Sequence, residues 1–468
     1  MSEEIKFGTS GWRAVIADGF TFDRSRRVVA AIGEHVRAQG LADRPVLVGY
    51  DTRFLMDRFA AEAARTLATA GIPALLSDAA VPTPTVSHAV ITRKLAGAIN
   101  FTASHNPPAY GGLKFSTHQG VPSPKAVTAD IETRLAKIEE VPEPAADVPG
   151  VEQVDLRAPY LARIRELVNL DAIAKAGVKV AVDPLYGTTR GYLDALLRDA
   201  GIPCETLHDK RDVLFGGRTP DCSEANLDQL AALVRDGGFT LGLATDGDGD
   251  RFAVIDPTGA FVSANLILAL LADYLAESRG WKHGLGRTVA TTHLLDAIAK
   301  ERGMAVHETP VGFKYLGELL VAEKVYLGGE ESAGMSILGH VPEKDGILAD
   351  LLTLEMVAVR GRTLSEMKDD LFARLGALFS RRVDHRFDLE RMETLRRALT
   401  TAEPRQFDDR KVTRIDRRDG LKLVLEDGAW MLLRPSGTEP VVRQYFEAPS
   451  EIGLARLMEA GRRFLAEV

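Results

Sequence analysis

The stretch VLVGYD at residues 46–51 predicts a buried β-strand that ends in a polar turn, and it opens the pattern that decides the fold. An amphipathic helix follows, whose apolar face is formed by Phe59, Ala63, Leu67 and Ala70. Gly71 is placed to end this helix, and residues 72–76 begin the next strand. A series of strand, helix, glycine and strand is typical of an α/β unit with a parallel sheet.

The same order of elements recurs twice more. Residues 178–183 (VKVAVD) and 288–292 (TVATT) each predict a strand that precedes a helix, a glycine and a second strand. Each unit is followed by a further strand that ends in an unusual loop, and these loops carry Ser104, Asp246 and Glu330 at matching points. Because α/β folds place their ligands at loops that follow strands, we expect three similar α/β domains with mixed, largely parallel sheets, each contributing one loop to a shared cleft.

The C-terminal part has a different pattern. Alternating strands are predicted from about residue 373, with a hairpin turn at Asp427-Gly428 and a final amphipathic helix near 452–465. This pattern indicates a small α+β domain, and the proline-rich stretch 141–149 indicates a linker. The predicted domains therefore cover residues 1–150, 151–256, 257–372 and 373–468.

Composition limits the classes of function. The chain has 468 residues, a formal net charge of −8 and no basic stripe, so nucleic acid and acidic membranes are poor partners, whereas a small anionic ligand remains possible. Its two cysteines cannot build a disulfide framework. The N-terminal residues do not resemble a signal peptide, and the most apolar stretch, 266–272, is too short to span a bilayer. We therefore expect a cytoplasmic protein without a membrane segment.

The loop DGDGD at 246–250 places Asp246, Asp248 and Asp250 at alternate positions between two apolar strands. Two glycines allow the chain to curl so that the carboxylates face inward, where their mutual repulsion requires a cation. Hard oxygen ligands suit magnesium or calcium, and the alternative is a solvated acidic turn. An EF-hand is excluded because its sixth and twelfth positions would be Arg251 and Pro257 instead of glycine and glutamate.

Ser104 lies beside His105 on a turn that follows an apolar strand. This arrangement fits either an activated nucleophile or a polar turn whose side chains bond the local backbone. No Gly-x-Ser-x-Gly motif surrounds the serine, which argues against an esterase. Lys114 follows two glycines, and its predicted position beside a glycine turn would let it approach a phosphate or transfer a proton, unless it is a surface lysine.

Two further loops have side chains that suit a sugar phosphate. Residues 328–334 (GGEESAG) could bond sugar hydroxyls, although a solvated turn fits equally well. Residues 434–440 (RPSGTEP), together with Arg443, offer arginines, hydroxyls and exposed N–H groups to a phosphate dianion, with a plain turn as the alternative. The phosphate-binding motifs of ATPases and of dinucleotide enzymes are both missing from the sequence.

Taken together, these loops resemble those of the α-D-phosphohexomutase family of phosphoglucomutase and phosphomannomutase type. Five motifs occur in the family's order and cover essentially the whole chain: FGTSGWR (7–13), TASHNP (102–107), DGDGDR (246–251), GEESAG (329–334) and RPSGTEP (434–440). The resemblance implies four domains around a central cleft, which agrees with three repeats followed by a distinct C-terminal domain.

The resemblance also implies a role for each candidate residue. Ser104 would be a phosphoserine, and one Mg²⁺ per subunit would be bound by Asp246, Asp248, Asp250 and a phosphoserine oxygen. His105 and Lys114 would be acid and base candidates, and Arg13 and Arg251 would neutralise phosphate charge. The residues implied in substrate binding are Gly312, Glu330, Ser332, Arg434, Ser436, Gly437, Thr438 and Arg443. The segment 340–345 is implied as a lesser cleft loop, with a structural role as its alternative.

The implied reaction is reversible transfer of a phosphoryl group between C1 and C6 of a hexose phosphate through a glucose 1,6-bisphosphate intermediate. The Glu-Glu-Ser sequence resembles the glucose-type and dual glucose/mannose-type members, and GTSGWR differs from the GTDGIR pattern of glucosamine-type members. Glucose phosphate is therefore the expected substrate, with mannose phosphate second and glucosamine phosphate third. A sugar phosphatase and a non-catalytic sugar-phosphate binding protein are the alternatives from other classes. The expected assembly is a monomer or a homodimer.

Overall fold

A computed structural model describes residues 5–8, 11–436 and 440–467 of the chain. These residues divide into two compact units. The first unit contains the residues up to 264 together with 313–323 and 332–363, and the second contains 265–312, 324–331 and the residues from 364 onward. Within the described residues, no helix combines the length and the apolar character needed to cross a membrane.

The first α/β domain lies in the first unit. Its elements are β1 (Trp12–Val15), α1 (Phe22–Ala38), β2 (Val46–Tyr50), α2 (Met56–Thr69), β3 (Ala74–Ser77), α3 (Thr83–Thr92), β4 (Gly97–Phe101), β5 (Tyr110–Thr117), α4 (Lys125–Leu135) and β6 (Val151–Val154). The strand order is β1-β5-β4-β2-β3-β6, with β4, β2, β3 and β6 parallel and β5 and β1 antiparallel. β6 lies beyond the boundary predicted at residue 150 because the irregular linker returns the chain to the edge of β3.

The second α/β domain also lies in the first unit and has a sheet of its own. Its elements are α5 (Arg157–Leu167), α6 (Leu170–Lys175), β7 (Val180–Asp183), α7 (Leu193–Asp199), β8 (Cys204–Thr206), α8 (Asp228–Gly237), β9 (Leu241–Thr245), β10 (Phe252–Ile255) and β11 (Phe261–Val262). The strand order is β11-β10-β9-β7-β8, in which β9, β7 and β8 are parallel.

The third α/β region is divided between the units. The second unit holds α9 (Ala264–Ser278), β12 (Gly284–Thr288), α10 (Leu294–Glu301) and β13 (Val306–Thr309). α11 (Phe313–Val321) belongs to the first unit, β14 (Val325–Glu330) to the second, and β15 (Gly334–Ile337) and α12 (Gly346–Arg360) to the first. β13 and β14 both pair with β12 in parallel, while α12 packs against β9 and β10.

The strand predicted at residues 288–292 is wrong, because β12 ends at Thr288 and the chain then turns. Val289 and Ala290 leave the sheet to pack with Trp430 and Leu432 of the C-terminal domain, in the same unit. Their β-branched and small side chains fit a strand and a buried turn equally well, so the local pattern could not distinguish the two.

The C-terminal domain lies in the second unit and is antiparallel, as expected. α13 (Leu364–Leu375) precedes this domain in the same unit, and the domain's own elements are β16 (Phe379–Arg386), α14 (Leu389–Thr401), β17 (Gln406–Phe407), β18 (Arg410–Asp416), β19 (Leu421–Leu425), β20 (Trp430–Pro435), β21 (Val441–Ala448) and α15 (Glu451–Glu467). The strand order is β16-β21-β20-β19-β18-β17, and the predicted Asp427-Gly428 hairpin joins β19 to β20. One face of this sheet packs on α14 and α15, and the other presents Trp430, Leu432 and Tyr445 to Val289 and Ala290.

The predicted fold class and its threefold repetition are confirmed. In each unit of the repeat a central strand has parallel neighbours on both sides, in the orders β4-β2-β3, β9-β7-β8 and β14-β12-β13. The loops after β4 and β9 carry Ser104 and Asp246, and Glu330 is the last residue of β14. The three candidate residues therefore occupy the equivalent carboxyl end of the equivalent strand, where α/β folds bind ligands.

Candidate active site

Three buried aspartates form a compact group in the loop between β9 and β10. One carboxylate oxygen from each of Asp246, Asp248 and Asp250 lies within 4.8 Å of the others. Oδ1 of Asp246 accepts the backbone N–H groups of Asp250 and Arg251 at 3.0 and 3.1 Å, which fixes the curl of the loop. Gly249 has a φ of +69° at the bend, a conformation that favours glycine.

The chemistry of this group fits a hard divalent cation such as Mg²⁺. Oδ1 of Asp248 and Oδ1 of Asp250 are buried and accept no hydrogen bond from any residue that the structure describes. Burial, followed by the charges of Asp250 and Asp248, raises the pKa of Asp246 well above its usual value. Buried carboxylate oxygens without donors, held this close together, are stabilised by a cation that binds oxygen ligands.

Two lysines neutralise part of the triad's charge. Lys114 Nζ lies 2.6 Å from Oδ2 of Asp248 and 3.0 Å from Oδ2 of Asp250, and Lys344 Nζ lies 3.0 Å from the same Asp250 oxygen. Burial favours the neutral amine of Lys114, but the charges of Asp248 and Asp250 outweigh it and raise its pKa, so Lys114 is an ammonium ion at neutral pH. Lys114 is therefore positioned to donate a proton or to neutralise a phosphate.

Lys114 does not lie beside a glycine turn as predicted, because Gly111 and Gly112 are inside β5. β5 pairs with β4, where Asn100 is opposite Lys114, and with β1, where Arg13 is opposite Gly112. A side chain at Gly112 would collide with the backbone oxygen of Thr102. The glycines are thus required by close packing within a central strand, not by a turn.

Ser104 lies in the loop after β4, and its hydroxyl points to the aspartate triad. Its Oγ donates to Oδ2 of Asp246 at 3.1 Å and lies 3.3 Å from Nδ1 of His105. Its φ is +50°, which a non-glycine residue adopts at a cost of about 1 kcal/mol or more. The side chain is only 2% exposed in this structure. The predicted pairing of Ser104 with both His105 and the aspartate loop is therefore present in the geometry.

Arg53 holds the Ser104 loop in its strained form, and sequence reasoning missed it. The fully buried guanidinium donates to the backbone oxygens of Ser104 and Asn106 at 2.5 and 2.6 Å, and to those of Pro107 and Tyr110. Asp51 compensates the charge of Arg53 at 3.1 Å. The sequence contained one local indication of this role, which is that Arg53 follows Asp51, the last residue of a predicted strand, by two positions.

The remaining charges around Ser104 are cationic. Arg13 donates to Oδ1 of Asn106 at 2.6 Å, and the guanidinium of Arg251 lies 3.7 Å from Asp221. Burial, followed by the charges of Arg251 and Arg13, lowers the pKa of His105 well below its usual value. The imidazole is therefore neutral at pH 7, and the two guanidiniums are positive charges that act on it.

Thr83, at the start of α3, is a second residue that the sequence did not identify. Its hydroxyl donates to Oδ2 of Asp248 at 2.7 Å and accepts from Asn100 at 3.0 Å, and its backbone N–H donates to the oxygen of Asp248. The N-terminal end of a helix favours nearby negative charge, so α3 helps to hold the aspartate loop.

The second unit contains most of the implied sugar and phosphate residues. Buried Glu330 accepts the N–H of Gly312 at 2.9 Å, and Gly312 has a φ of +131°. Arg434 and Arg443 are opposite each other on β20 and β21, where they bond Asp419 at 2.8 Å and lie 3.8 Å from Asp384, respectively.

Arg382 is a third arginine on the same face of this sheet, and the sequence did not identify it. Its guanidinium lies 5.8 Å from the centre of the Tyr445 ring. Burial and then Glu331 raise the pKa of the Tyr445 phenol, whereas Arg382, Arg434 and Arg443 all act to lower it. The three arginines therefore lie around one tyrosine, with Asp384 and Asp419 as their carboxylate partners.

Of the other predicted substrate residues, the structure describes Ser436 and Ser332. Ser436 is buried and its backbone oxygen accepts from Arg396, whereas Gly437 and Thr438 lie outside the described residues. Ser332 is half-buried and belongs to the first unit.

The segment 340–345 contains residues that stabilise the fold and one residue that contacts the triad. Buried His340 and Tyr160 both bond Asp345, whose side chain caps α12. Lys344, the neighbour of this cap, is the residue that reaches Asp250.

Comparison with known proteins assigns all four domains. The phosphoglucomutase/phosphomannomutase α/β/α domains I, II and III match residues 4–142, 158–259 and 263–375, and the C-terminal domain of the same proteins matches residues 383–463. The matches occur in order along the chain.

Full-length relatives carry several substrate names. A phosphoglucomutase/phosphomannomutase of Thermococcus kodakarensis is 30% identical, with 98% of both chains covered. A phosphoglucosamine mutase of Frankia alni is 32% identical, over 95% of this chain and 94% of its own. A crystal structure of a provisionally named phosphomannomutase from Thermus thermophilus is 34% identical, covers all of both chains and superimposes with a TM-score of 0.86.

Four domain matches in order and relatives aligned along nearly their whole length agree with the loops found in the structure. The chain therefore belongs to the phosphoglucomutase/phosphomannomutase family of α-D-phosphohexomutases.

Proposed function

We propose that this phosphohexomutase interconverts glucose 1-phosphate and glucose 6-phosphate, with Ser104 as the residue that carries the phosphoryl group. The observation that supports this assignment most strongly is the 3.1 Å contact between Ser104 Oγ and Asp246, within a triad suited to a divalent cation. A hydroxyl in that position, surrounded by cationic side chains, can hold a phosphoryl group whose charge is neutralised on several sides.

In the proposed transfer, the bond between phosphorus and Oγ of phosphorylated Ser104 breaks as a hydroxyl oxygen of the hexose phosphate bonds to phosphorus. His105 is the candidate to accept the hydroxyl proton, and the Lys114 ammonium is the candidate to donate a proton to Oγ. The resulting glucose 1,6-bisphosphate then returns its other phosphoryl group to Ser104 by the reverse steps. Atoms and charge balance over the cycle because the enzyme ends phosphorylated as it began.

In this proposal, side chains of the protein hold the phosphoryl group in position during transfer. Asp246, Asp248 and Asp250 would hold one Mg²⁺, which when bound would supply positive charge next to the phosphoryl oxygens. Arg13 and Arg251 would neutralise the remaining phosphoryl charge. Catalysis of this kind depends mainly on positioning and on electrostatic stabilisation.

The remaining substrate contacts of the proposal are those that the family resemblance implies. Glu330 would accept hydrogen bonds from sugar hydroxyls, with Gly312 orienting its carboxylate. Ser332 would bond the sugar as well. Arg434 and Arg443, with Ser436, Gly437 and Thr438, would hold the phosphate that is not reacting, and Arg382 is positioned to add a third guanidinium.

Glucose is preferred over mannose because the Glu330-Glu331-Ser332 sequence resembles that of glucose-type members. The relatives bear glucose, mannose and glucosamine names, which leaves mannose phosphate and glucosamine phosphate as the other candidate substrates. Epimers at C2 differ by the position of one hydroxyl, so a dual glucose/mannose activity is the second candidate function.

A single assay tests both the reaction and the substrate. The protein is incubated with Mg²⁺, a trace of glucose 1,6-bisphosphate and glucose 1-phosphate, mannose 1-phosphate or glucosamine 1-phosphate, and phosphorus NMR follows the products. We expect glucose 6-phosphate to form with the highest kcat/KM and without free phosphate. Faster conversion of either other sugar would overturn the substrate assignment, and release of inorganic phosphate would indicate a phosphatase instead.

A further inference from the structure

A cavity in the first unit has a lining that includes neither Ser104 nor any aspartate of the triad. Its volume is about 610 Å³, within the range of roughly 300–1,000 Å³ that is typical of small-molecule sites. Its walls come from the carboxyl ends of four parallel strands, β2 and β3 of the first sheet and β7 and β8 of the second. Ligands of α/β proteins bind at such strand ends, so the location itself favours a binding site.

Two arginines on one wall have no carboxylate partner among the described residues. Arg190 donates through Nε to the oxygen of Gly187, and Arg211 through Nε to that of Thr52, so the terminal nitrogens of both are available. Burial, followed by the charge of Arg211, lowers the pKa of Arg190, whereas the charge of Asp209, another residue of the cavity lining, acts to raise it. Two guanidiniums that line one cavity and form no ion pair with the described residues can bind a phosphate dianion through their terminal nitrogens.

The other two arginines of the cavity are already engaged. Arg198 is paired with Asp194 on the same helix, and Arg157 bonds the oxygen of Gly191 and lies 5.5 Å from the centre of the Tyr192 ring. Arg190 and Arg211 differ from these two arginines because, within the described parts of the chain, their terminal nitrogens are not used in contacts that stabilise the fold.

Other residues of the cavity lining carry hydrogen-bond acceptors. Asp57 and Asp78 face the Tyr50 hydroxyl, whose pKa is raised by burial and then by these two carboxylates. Neither aspartate forms an ion pair with a residue in the described parts of the chain. Exposed carboxylates and a phenol beside a cationic wall suit a ligand with hydroxyl groups at one end and an anionic group at the other.

We propose that this cavity is a non-catalytic site for a polyol phosphate, with Arg190 and Arg211 binding the phosphate and with Asp57, Asp78 and Tyr50 binding the hydroxyl groups. The site is separate from the proposed reaction and does not depend on which hexose phosphate is the substrate. The cavity lining includes Asp51, which forms an ion pair with Arg53. An occupant of the cavity would therefore lie next to the residues that hold the Ser104 loop.

Arginine footprinting of the full-length wild-type protein tests the site without a mutation. The protein is treated with phenylglyoxal in the presence and absence of sorbitol 6-phosphate, and mass spectrometry measures the modification rate of each arginine. We expect the probe to slow modification of Arg190 and Arg211 at least ~5-fold, while Arg235, which is exposed and distant in sequence, reacts at an unchanged rate. Unchanged rates at Arg190 and Arg211 would overturn the site. Equal protection by inorganic phosphate at the same concentration would overturn the polyol part of the assignment.

A double variant provides a second, independent measurement. Calorimetric titration of Arg190→Ala/Arg211→Ala with sorbitol 6-phosphate should lose one binding event per chain, with affinity at that site reduced at least ~100-fold because two charge-assisted contacts are removed. Arg235→Ala is the matched control and should bind as the wild type does. An unchanged number of sites and unchanged affinities in the double variant would contradict the proposal, and circular dichroism establishes that both variants are folded.

Discussion

The guanidinium of Arg53 lies 2.5 Å from the backbone oxygen of Ser104, and it bonds three more backbone oxygens of the same loop. This fully buried arginine is 51 residues away in sequence from the serine that it positions. The left-handed conformation of Ser104 is therefore maintained by a residue that makes no contact with the proposed phosphoryl group. The position of the candidate nucleophile depends on a buried ion pair beneath it.

Removal of Arg53 should impair both stability and turnover. In Arg53→Ala the carboxylate of Asp51 stays buried without its partner, which costs about 3–5 kcal/mol of unfolding free energy. Arg53→Lys keeps the charge but cannot bond four oxygens at once, so kcat should fall at least ~10-fold with a smaller loss of stability. Urea unfolding and steady-state kinetics measure the two effects.

Arg58→Ala is the control for this prediction, because Arg58 is exposed on α2. It should leave both the unfolding free energy and kcat close to the wild-type values. If Arg53→Lys retained wild-type kcat, Arg53 would not be needed to position the Ser104 loop.

Ser104→Ala should lose mutase activity while retaining the fold, because the proposed phosphoryl carrier is absent. Incubation with glucose 1,6-bisphosphate should add one phosphoryl group to the wild-type protein, located by mass spectrometry on Ser104, and none to the variant. Ser87→Ala is a matched control, since within the described residues the buried Ser87 hydroxyl bonds only the backbone oxygen of Gly120. Turnover by Ser104→Ala above a few per cent of the wild-type rate would exclude the phosphoserine role.

Mg²⁺ should raise the melting temperature of the protein in the absence of substrate. Three buried carboxylates within 4.8 Å repel one another, and a bound cation stabilises the folded state by mass action. Asp248→Asn should abolish most of this Mg²⁺-dependent shift, whereas Asp236→Asn, at an exposed position of α8, should retain it. Chelation should also remove mutase activity. A shift of equal size in Asp248→Asn and in the wild type would place the cation elsewhere.

Asp350 should make stability depend on pH. Both of its oxygens are buried in α12 without a partner among the described residues, and burial followed by the charge of Asp345 raises its pKa well above the usual value. A raised folded-state pKa means that the unfavourable contribution is absent below the unfolded pKa of about 3.9 and grows as pH rises. Its growth is at most about 1.4 kcal/mol per pH unit until pH passes the folded-state pKa.

Asp350→Asn removes this ionisation and should therefore gain unfolding free energy relative to the wild type between pH 5.5 and pH 8.5. Urea unfolding across that range measures the difference between the two proteins. The control is Asp369→Asn, at an exposed position of α13, which should show no such trend. A pH-independent difference between wild type and Asp350→Asn would mean that Asp350 does not titrate as its surroundings indicate.

Much of the fold was predictable because its signals are local. The strand at 46–50 and the helix that buries Phe59, Ala63 and Leu67 follow from hydrophobic periodicity, and both are confirmed. The hairpin at Asp427-Gly428 follows from turn chemistry. Where local chemistry allowed two outcomes the prediction failed, as at Val289 and Ala290, which fill a buried contact with Trp430 instead of extending a strand.

In the candidate site too, some residues were predictable from local sequence and others were not. The aspartate loop and Ser104 were identifiable from short motifs, since the chemistry of each is contained in six or so consecutive residues. Arg53 and Thr83 were not identifiable, because their functional neighbours are remote in sequence and no local pattern connects them. Lys344 lies in the segment 340–345, which the family resemblance implied only as a whole, without its contact to Asp250.

By itself, the sequence determined the threefold α/β repeat, the antiparallel C-terminal domain and the loops that carry Ser104 and the three aspartates. These features depend on periodicity and on turn residues, which act over a few positions. Only the tertiary structure decided that Gly111 and Gly112 lie within a strand, that Lys114 and Lys344 share the charge of Asp250, and that Arg53 holds the serine loop. Those relationships arise when parallel strands bring their carboxyl ends to one edge, which places charges from distant segments within a few ångströms in a buried, weakly screened environment.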